Sequence, residues 1–440
     1  MASEAAEAES VSELLSTWAA AKGDAPLFHW WKDENGKVSI AKKLTYLDVE
    51  RLASGTAWRL ANKDGVEPGD RCLLVYEPGL AFMCAFLACG RAAAVAVPVF
   101  PPEPRRKATA ELGAFVEISK SCDAKFALTS SAYGWARKIS KLAALVGGGD
   151  AAWPASLKWI VADADASSAS GGLVPDAPPG GPHADVAFLQ YTSGSTSAPK
   201  GVVITHASLR HNLNLIVDDL KADEATVCVS WLPQYHDMGL IGSYLGTLRC
   251  GGKGFYASPF AFVKRPACWL EAVDQFRGTH LQAPNFAYAL VARKPPSSTL
   301  DLSCVRHAIN AAEPVDVAVI DAFEALFCAS HGLRKGVVFP TYGLAESTVL
   351  VCGNGASRCA VDADALRDDR VAAEAPGGAG FAGCGAPRGD RGVDVAIVDR
   401  GDDDDAASRE MPRGRTRRGR RRRRCRCLDV DEFAPHSAAR

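Results

Sequence analysis

Thr192-Ser193-Gly194-Ser195-Thr196-Ser197-Ala198-Pro199-Lys200-Gly201 stands between two apolar runs that read as strands, Val186 to Tyr191 and Val202 to Thr205. Such a loop is suited to holding anions. Its small hydroxyl residues and Gly194 let backbone N–H groups close around phosphate oxygens, and Lys200 adds a positive charge at the loop's end. The Thr196 hydroxyl can also help to hold Mg2+, the hard cation that accompanies phosphates. A Walker A loop requires Gly-Lys followed by Ser or Thr; here Pro199 precedes Lys200 and Gly201 follows it, which argues against a P-loop NTPase. The bland alternative, a flexible Ser/Thr/Gly hairpin without a ligand, fits a bare Ser-Gly-Ser better than a long loop closing on Pro-Lys-Gly.

Outward from this loop, short Val- and Ile-rich runs alternate with segments of helical period, the pattern of a parallel sheet covered by helices on both faces. The fold class is therefore α/β. Arg71 to Tyr76 reads as a strand, and Gly79 to Gly90 as a nearly all-apolar helix that must be buried on most sides. Further strands are expected at Val227 to Trp231, Thr279 to Gln282, Arg306 to Asn310 and Val337 to Pro340, each running into a polar loop. In open α/β sheets ligands gather beyond the carboxyl ends of the strands, so these loops are candidates to share one site.

With 440 residues, 48% of them hydrophobic, the chain can bury a sizeable core, and a net charge of -1 gives no whole-protein field to recruit nucleic acid or anionic membrane. The 14 cysteines are scattered through apolar stretches without metal-ligand spacing and read as reduced, mostly buried thiols. The acidic start MASEAAEAES lacks the features of a secretory signal, and Arg91 and Pro98 break the apolar stretch Leu80 to Phe100. A cytoplasmic protein with no integral membrane segment is expected. Residues 1-10 are expected to be disordered, and Ala166 to Pro182 and Val371 to Gly380 read as loops or linkers.

Tyr191 to Val203 resembles the phosphate-loop signature of the adenylate-forming superfamily, which includes acyl-CoA synthetases, luciferases and peptide-synthetase adenylation domains. Ser197 stands where many members have Gly. Thr341-Tyr342-Gly343-Leu344-Ala345-Glu346 resembles the second signature, and the resemblance implies that Tyr342 stacks on adenine while Glu346 helps to hold Mg2+. Ala311-Ala312-Glu313-Pro314 resembles the loop lining the adenine pocket; read without the resemblance it is a helix N-terminal turn with Pro314 at an early position. Gln234 to Leu240 resembles a motif placing His236 beside the reacting groups, where a charge-stabilising role is expected, since an ionised carboxylate needs no base. ATP as substrate, Mg2+ as cofactor, Lys200, His236 and Glu346 as catalytic residues, and Thr192, Ser193, Gly194, Ser195, Thr196, Gly201, Ala311, Ala312, Glu313, Pro314, Tyr342 and Gly343 as nucleotide contacts all follow as expectations.

Three stretches are similar to the fatty acyl-AMP ligase branch: Pro78 to Pro102 with its double proline, Gln234 to Gly242, and Cys359 to Ala373, which resembles the insertion of that branch. The last also reads as an exposed polar loop or helix. The implied reaction is activation of a fatty acid as acyl-adenylate for transfer to an acyl carrier protein or polyketide synthase acceptor; an acyl-CoA synthetase and a non-catalytic ATP/acyl-binding protein are the alternatives. The resemblance covers about residues 10 to 400, as an adenylation domain over 11-400 whose last β part is incomplete. After the expected strand Val393 to Asp399 the chain turns to GDDDD and an Arg-rich run from Arg413 to Arg426, which cannot form a core. The family's ribose-binding Asp and C-terminal catalytic Lys cannot be placed there. This tail, 401-440, is expected to be disordered. It reads as a frame-shifted or mis-spliced continuation, with a natural truncated form and a basic tail that binds nucleic acid as the other two readings.

Overall fold

The computed structural model describes residues 5, 7–104, 109–146, 153–164, 185–192, 199–355, 358–360, 380–382, 384 and 386–387. The strands that frame the site are β1 (Pro26–Glu34), β2 (Lys37–Thr45), β3 (Arg71–Val75), β4 (Val95–Pro98), β5 (Phe126–Thr129), β6 (Lys158–Val161), β7 (Val186–Thr192), β8 (Lys200–Thr205), β9 (Val227–Ser230), β10 (Lys253–Tyr256), β11 (His280–Pro284), β12 (His307–Ala311) and β13 (Val338–Pro340). They form a six-stranded sheet in the order β6-β5-β3-β4-β7-β8 and a seven-stranded sheet in the order β13-β12-β11-β9-β10-β1-β2. Pairing is parallel except at one edge of each sheet, where β7 meets β8 and β1 meets β2. The two hairpins exist because their connections are too short for a crossover.

One apolar core runs through both sheets. Leu74, Ala96 and Phe188 from the first share it with Val229, Phe255 and Leu281 from the second. The helix Leu80–Arg91 lies in this core, buried except at Ala81 and Gly90, and Phe86 meets Phe188 edge-on at 5.4 Å. At its end the buried guanidinium of Arg91 pairs with Glu50 of the helix Tyr46–Arg59 and donates to Ser16 Oγ at 2.6 Å, which fastens the N-terminal helix Val11–Lys22.

The strands expected within the described residues and the expected apolar helix are present, with boundaries shifted by one or two residues. The eight buried cysteines among the described residues carry free thiols. At the N-terminus the structure differs from expectation. Ala5 and Ala8 are buried, and Arg249 donates to the Ala5 carbonyl at 2.7 Å. Alanines that look featureless in sequence are thus covered by residues far along the chain, Arg249 at the end of the helix Gly246–Arg249 among them. Ala166 to Pro182, most of Val371 to Gly380, residues 361–373 of the expected insertion, Val393 to Asp399 and the tail lie outside the described residues. No helix among the described residues is long and apolar enough to cross a membrane.

Candidate active site

The β7–β8 hairpin sets the position of Lys200. Its register pairs Thr192 with Lys200 and Tyr191 with Gly201. The Tyr191 ring lies against Gly201 so closely that a Cβ there would come within 2.9 Å of it, while its hydroxyl donates to Ser121 Oγ at 3.0 Å. Lys200 is exposed at the start of β8. Ser193, Gly194, Ser195 and Thr196 lie outside the described residues.

Past the end of β9, the Gln234 to Leu240 loop is tied to both sheets. The Gly79 N–H donates to Gln234 Oε1 at 2.9 Å, and Gln190 of β7 donates from Nε2 to the Tyr235 carbonyl at 3.0 Å. Phe100 packs edge-on to Tyr235 at 5.3 Å, so the double-proline stretch touches the His-containing loop. Met238–Leu245 then forms a π-helical segment, a wide winding frequent at functional sites. Gly239 permits it, since a Cβ there would collide with the Pro233 carbonyl.

His236 Nδ1 lies 2.7 Å from Asp237 Oδ1, and the Met238 N–H donates to the same oxygen at 2.6 Å. Burial works against charge on the imidazole, but the Asp237 carboxylate outweighs it and holds His236 above the ordinary histidine value. The ring is thus biased towards a cation, which suits neighbouring negative charge better than it suits a general base.

At the end of β12, Ala311 closes the strand and Ala312 adopts φ +70°, a left-handed conformation uncommon for a residue with a Cβ. Glu313 accepts the Phe286 N–H at 2.6 Å. The reading of Pro314 as an early helical residue is corrected here. The helix is Val317–Ser330, and Asp316 caps it by accepting the Ala318 N–H at 2.8 Å, so Pro314 stands two residues before the cap. A side-chain oxygen at residue 316 competes better for the free N–H groups than a proline can.

The Thr341 N–H beyond β13 donates to the Asn310 carbonyl at 3.0 Å, and the chain then forms β14 (Tyr342–Gly343), a short 3-10 turn (Ala345–Ser347) and β15 (Leu350–Gly353). Tyr342 is 50% exposed, free to offer a ring face. Glu346 is exposed on the turn, which packs against β8, the strand that begins with Lys200. The two charged candidates are thereby brought to adjoining elements.

Between these loops lies a cavity of about 210 Å³ lined by His236, Ala311, Ala312 and Gly343, with Ile216, Met238, Ile309, Val349 and Leu350 supplying apolar wall. It gathers four of the residues selected from sequence. Lys200, Glu313, Pro314, Tyr342 and Glu346 are not in its wall. Gln282 and Thr341, which sequence reasoning missed, are; both are buried, and the Thr341 hydroxyl has no partner among the described residues. The available signal was the position of Thr341 just past β13; Gln282, in the middle of β11, carried none beyond being a polar residue in a buried strand. Another residue missed is Asn212, which lies on the apolar stripe Leu209, Leu213, Ile216 of its helix, where a polar side chain calls for explanation.

Two mainly parallel sheets on one core, an anion-suited hairpin, and a cavity beyond the strand ends define the large domain of an adenylate-forming enzyme. Residues 15–410 match the AMP-binding enzyme family. The chain is 34% identical over 382 residues to a medium-chain-fatty-acid–[acyl-carrier-protein] ligase of Moorena producens, covering 83% of this chain and 61% of that protein. It is 30% identical over 382 residues to a long-chain-fatty-acid–AMP ligase of Mycolicibacterium smegmatis, covering 83% and 57%. The crystal structure of a fatty acid AMP ligase from Legionella pneumophila superimposes with a TM-score of 0.75 at 28% identity, covering 90% of this chain and 65% of that one. This chain therefore belongs to the AMP-binding enzyme family, in its fatty acyl-AMP ligase branch. It spans about three fifths of the length of these curated relatives.

Proposed function

We propose that this chain activates a fatty acid with ATP, forming acyl-adenylate and releasing pyrophosphate. An ionised carboxylate oxygen attacks the α-phosphorus, a new P–O bond forms, and the bond to the pyrophosphate oxygen breaks with its electron pair. Lys200 and the Asp237-supported His236 neutralise charge that accumulates on the phosphate and carboxylate oxygens. Tyr342 stacks on the adenine beside the Ala311–Pro314 loop. Thr192 and Gly201, with Ser193, Gly194, Ser195 and Thr196, cradle the phosphates. No group of three or more His, Cys, Asp or Glu side chains among the described residues could hold a metal unaided. Mg2+ is usually held by one or two carboxylates, substrate phosphates and water; Glu346, exposed beside β8, and Thr196 are the residues proposed to hold it. Bound there, Mg2+ would offset phosphate charge.

The observation that carries this reading is the convergence of His236, Ala311, Ala312 and Gly343, chosen from separate motifs, on one cavity wall. The apolar share of that wall favours an acyl group over a polar acid. The acceptor proposed is the phosphopantetheine thiol of an acyl carrier protein or polyketide synthase, in keeping with the names of the carrier-protein ligases among the relatives. The test is fatty-acid-dependent exchange of labelled pyrophosphate into ATP by the full chain, followed by addition of holo carrier protein or CoA. Exchange with acyl transfer to the carrier supports the proposal; transfer to CoA alone would move the chain to the acyl-CoA synthetases, and nucleotide binding without exchange would leave a binding protein.

A further inference from the structure

A classic γ-turn is rare and strained in proteins, and one stands beside the proposed nucleotide site. Thr348 has φ +74° and ψ -65°, and the Val349 N–H donates to the Ser347 carbonyl at 3.0 Å. For a buried, β-branched residue this conformation is an outlier that survives only where its surroundings enforce it. Its effect is local and definite. The Val349 carbonyl is pressed against Gly343 so tightly that any Cβ at 343 would collide with it.

Besides the local bonds of Ser347 and Thr348 to Leu344 and Ala345, one carboxamide from a distant helix holds the turn. Asn212, buried in the middle of the helix His206–Asp219, donates from Nδ2 to the Ser347 carbonyl at 3.2 Å and to the Leu350 carbonyl at 2.9 Å. Its Oδ1 accepts the Leu350 N–H at 2.9 Å. These bonds grip the chain on both sides of Thr348. The helix that carries Asn212 follows directly from β8, where Thr205 is both the last strand residue and the helix cap. Asn212 therefore joins the strand that begins with Lys200 to the turn that carries Glu346 and, through the β14–β15 pairing of Gly343 with Leu350, to Tyr342.

We propose that Asn212 is a positioning residue: by clamping the strained turn at Thr348 it holds Tyr342 and Glu346 in register with Lys200 for binding of Mg-ATP. The inference rests on the nucleotide reading of the site given above. A purely structural asparagine would contribute to stability alone, whereas a clamp on a strained turn predicts rescue when the strain is removed. Glycine adopts positive φ without penalty, so Thr348→Gly lets the turn form unaided.

The experiment is calorimetric titration of the full chain with Mg-ATP, with thermal midpoints recorded for each variant. Asn212→Ala is expected to weaken Mg-ATP binding about tenfold, in line with the loss of two or three hydrogen bonds. Adding Thr348→Gly to it should bring affinity back to within about threefold of wild type. Asn212→Asp, nearly isosteric and so expected to fold, keeps the acceptor for Leu350 but sets a carboxylate against two carbonyls. Its affinity relative to wild type should fall at neutral pH and recover as acid protonates the carboxyl into a donor. Wild-type affinity in Asn212→Ala, no rescue by Thr348→Gly, or an Asn212→Asp ratio that does not change with pH would overturn the positioning role. Failure of the wild-type chain itself to bind Mg-ATP would overturn the nucleotide reading and this inference together, and is distinguished by being visible before any variant is made.

Discussion

Lys200 and Glu346 are exposed side chains with no packing role, so their removal separates chemistry from stability. Lys200→Ala is expected to lower fatty-acid-dependent pyrophosphate exchange at least about a hundredfold while leaving the thermal midpoint within about 1 °C. Equal loss of stability and activity would show Lys200 to be structural. Gly343 is the opposite case. Gly343→Ala forces a Cβ into the Val349 carbonyl, and the backbone must shift to relieve it. A destabilisation of about 2–4 kcal/mol in urea unfolding is expected, together with weakened nucleotide binding. At this scale the sequence was legible where a motif names its residue types: His236, Ala311, Ala312 and Gly343 do meet at one cavity. It was not legible for Asn212, Gln282 or Thr341. Their importance depends on what faces them from distant parts of the chain, as the pairing of Asn212 with Leu350 illustrates.

Among the elements, the neighbouring strands β11 and β12 carry a stacked histidine pair, His280 and His307, with ring centroids 5.1 Å apart. Burial, reinforced by His280 and by Lys221, Arg334 and Arg306, lowers His307 to about 4, and burial likewise lowers His280. Both are therefore neutral in the folded chain at pH 7. Since the unfolded histidine titrates near 6.5, the unfolded state binds more protons between about 6.5 and 4, and stability present above 6.5 is lost as pH falls through that window. Allowing for partial exposure of His307, its share is on the order of 2 kcal/mol. Urea midpoints measured from pH 7 to pH 4 should fall, and His307→Asn should flatten the slope; an unchanged slope would place the acid sensitivity elsewhere. The buried Arg91–Glu50 pair offers a second test, because Glu50→Gln breaks a buried ion pair and should lower the urea midpoint clearly; an unchanged midpoint would show that the pair adds nothing to stability. Element types were readable from period and composition, since β7, β9 and β13 each carry a run of apolar or β-favouring residues. The π-helical segment Met238–Leu245 and the γ-turn at Thr348 were not, because both are imposed by contacts such as Gly239 against Pro233.

Considered whole, the molecule places two sheets on a shared core, with the cavity beyond the strand ends of the seven-stranded sheet and polar contacts linking its His236 loop to the other. Gly79 to Gln234 and Gln190 to Tyr235 cross from the six-stranded sheet to the loop after β9. Packing holds the sheets together, and these bonds tie the His236 loop to the six-stranded sheet. The α/β class was readable from alternation along the chain, whereas the sheet order β6-β5-β3-β4-β7-β8 was not, because crossovers leave no local mark in sequence. The N-terminus shows the same limit, its alanines gaining meaning only against Arg249 and the helix beside it. The proposal to be tested first is that this cavity joins a fatty acid to AMP. Mass spectrometry of the full chain incubated with ATP, Mg2+ and a medium- or long-chain fatty acid tests it directly. The acyl-adenylate should appear in the wild-type reaction and be lost or greatly reduced with Lys200→Ala; its absence from the wild-type reaction under conditions where Mg-ATP binds would contradict the account.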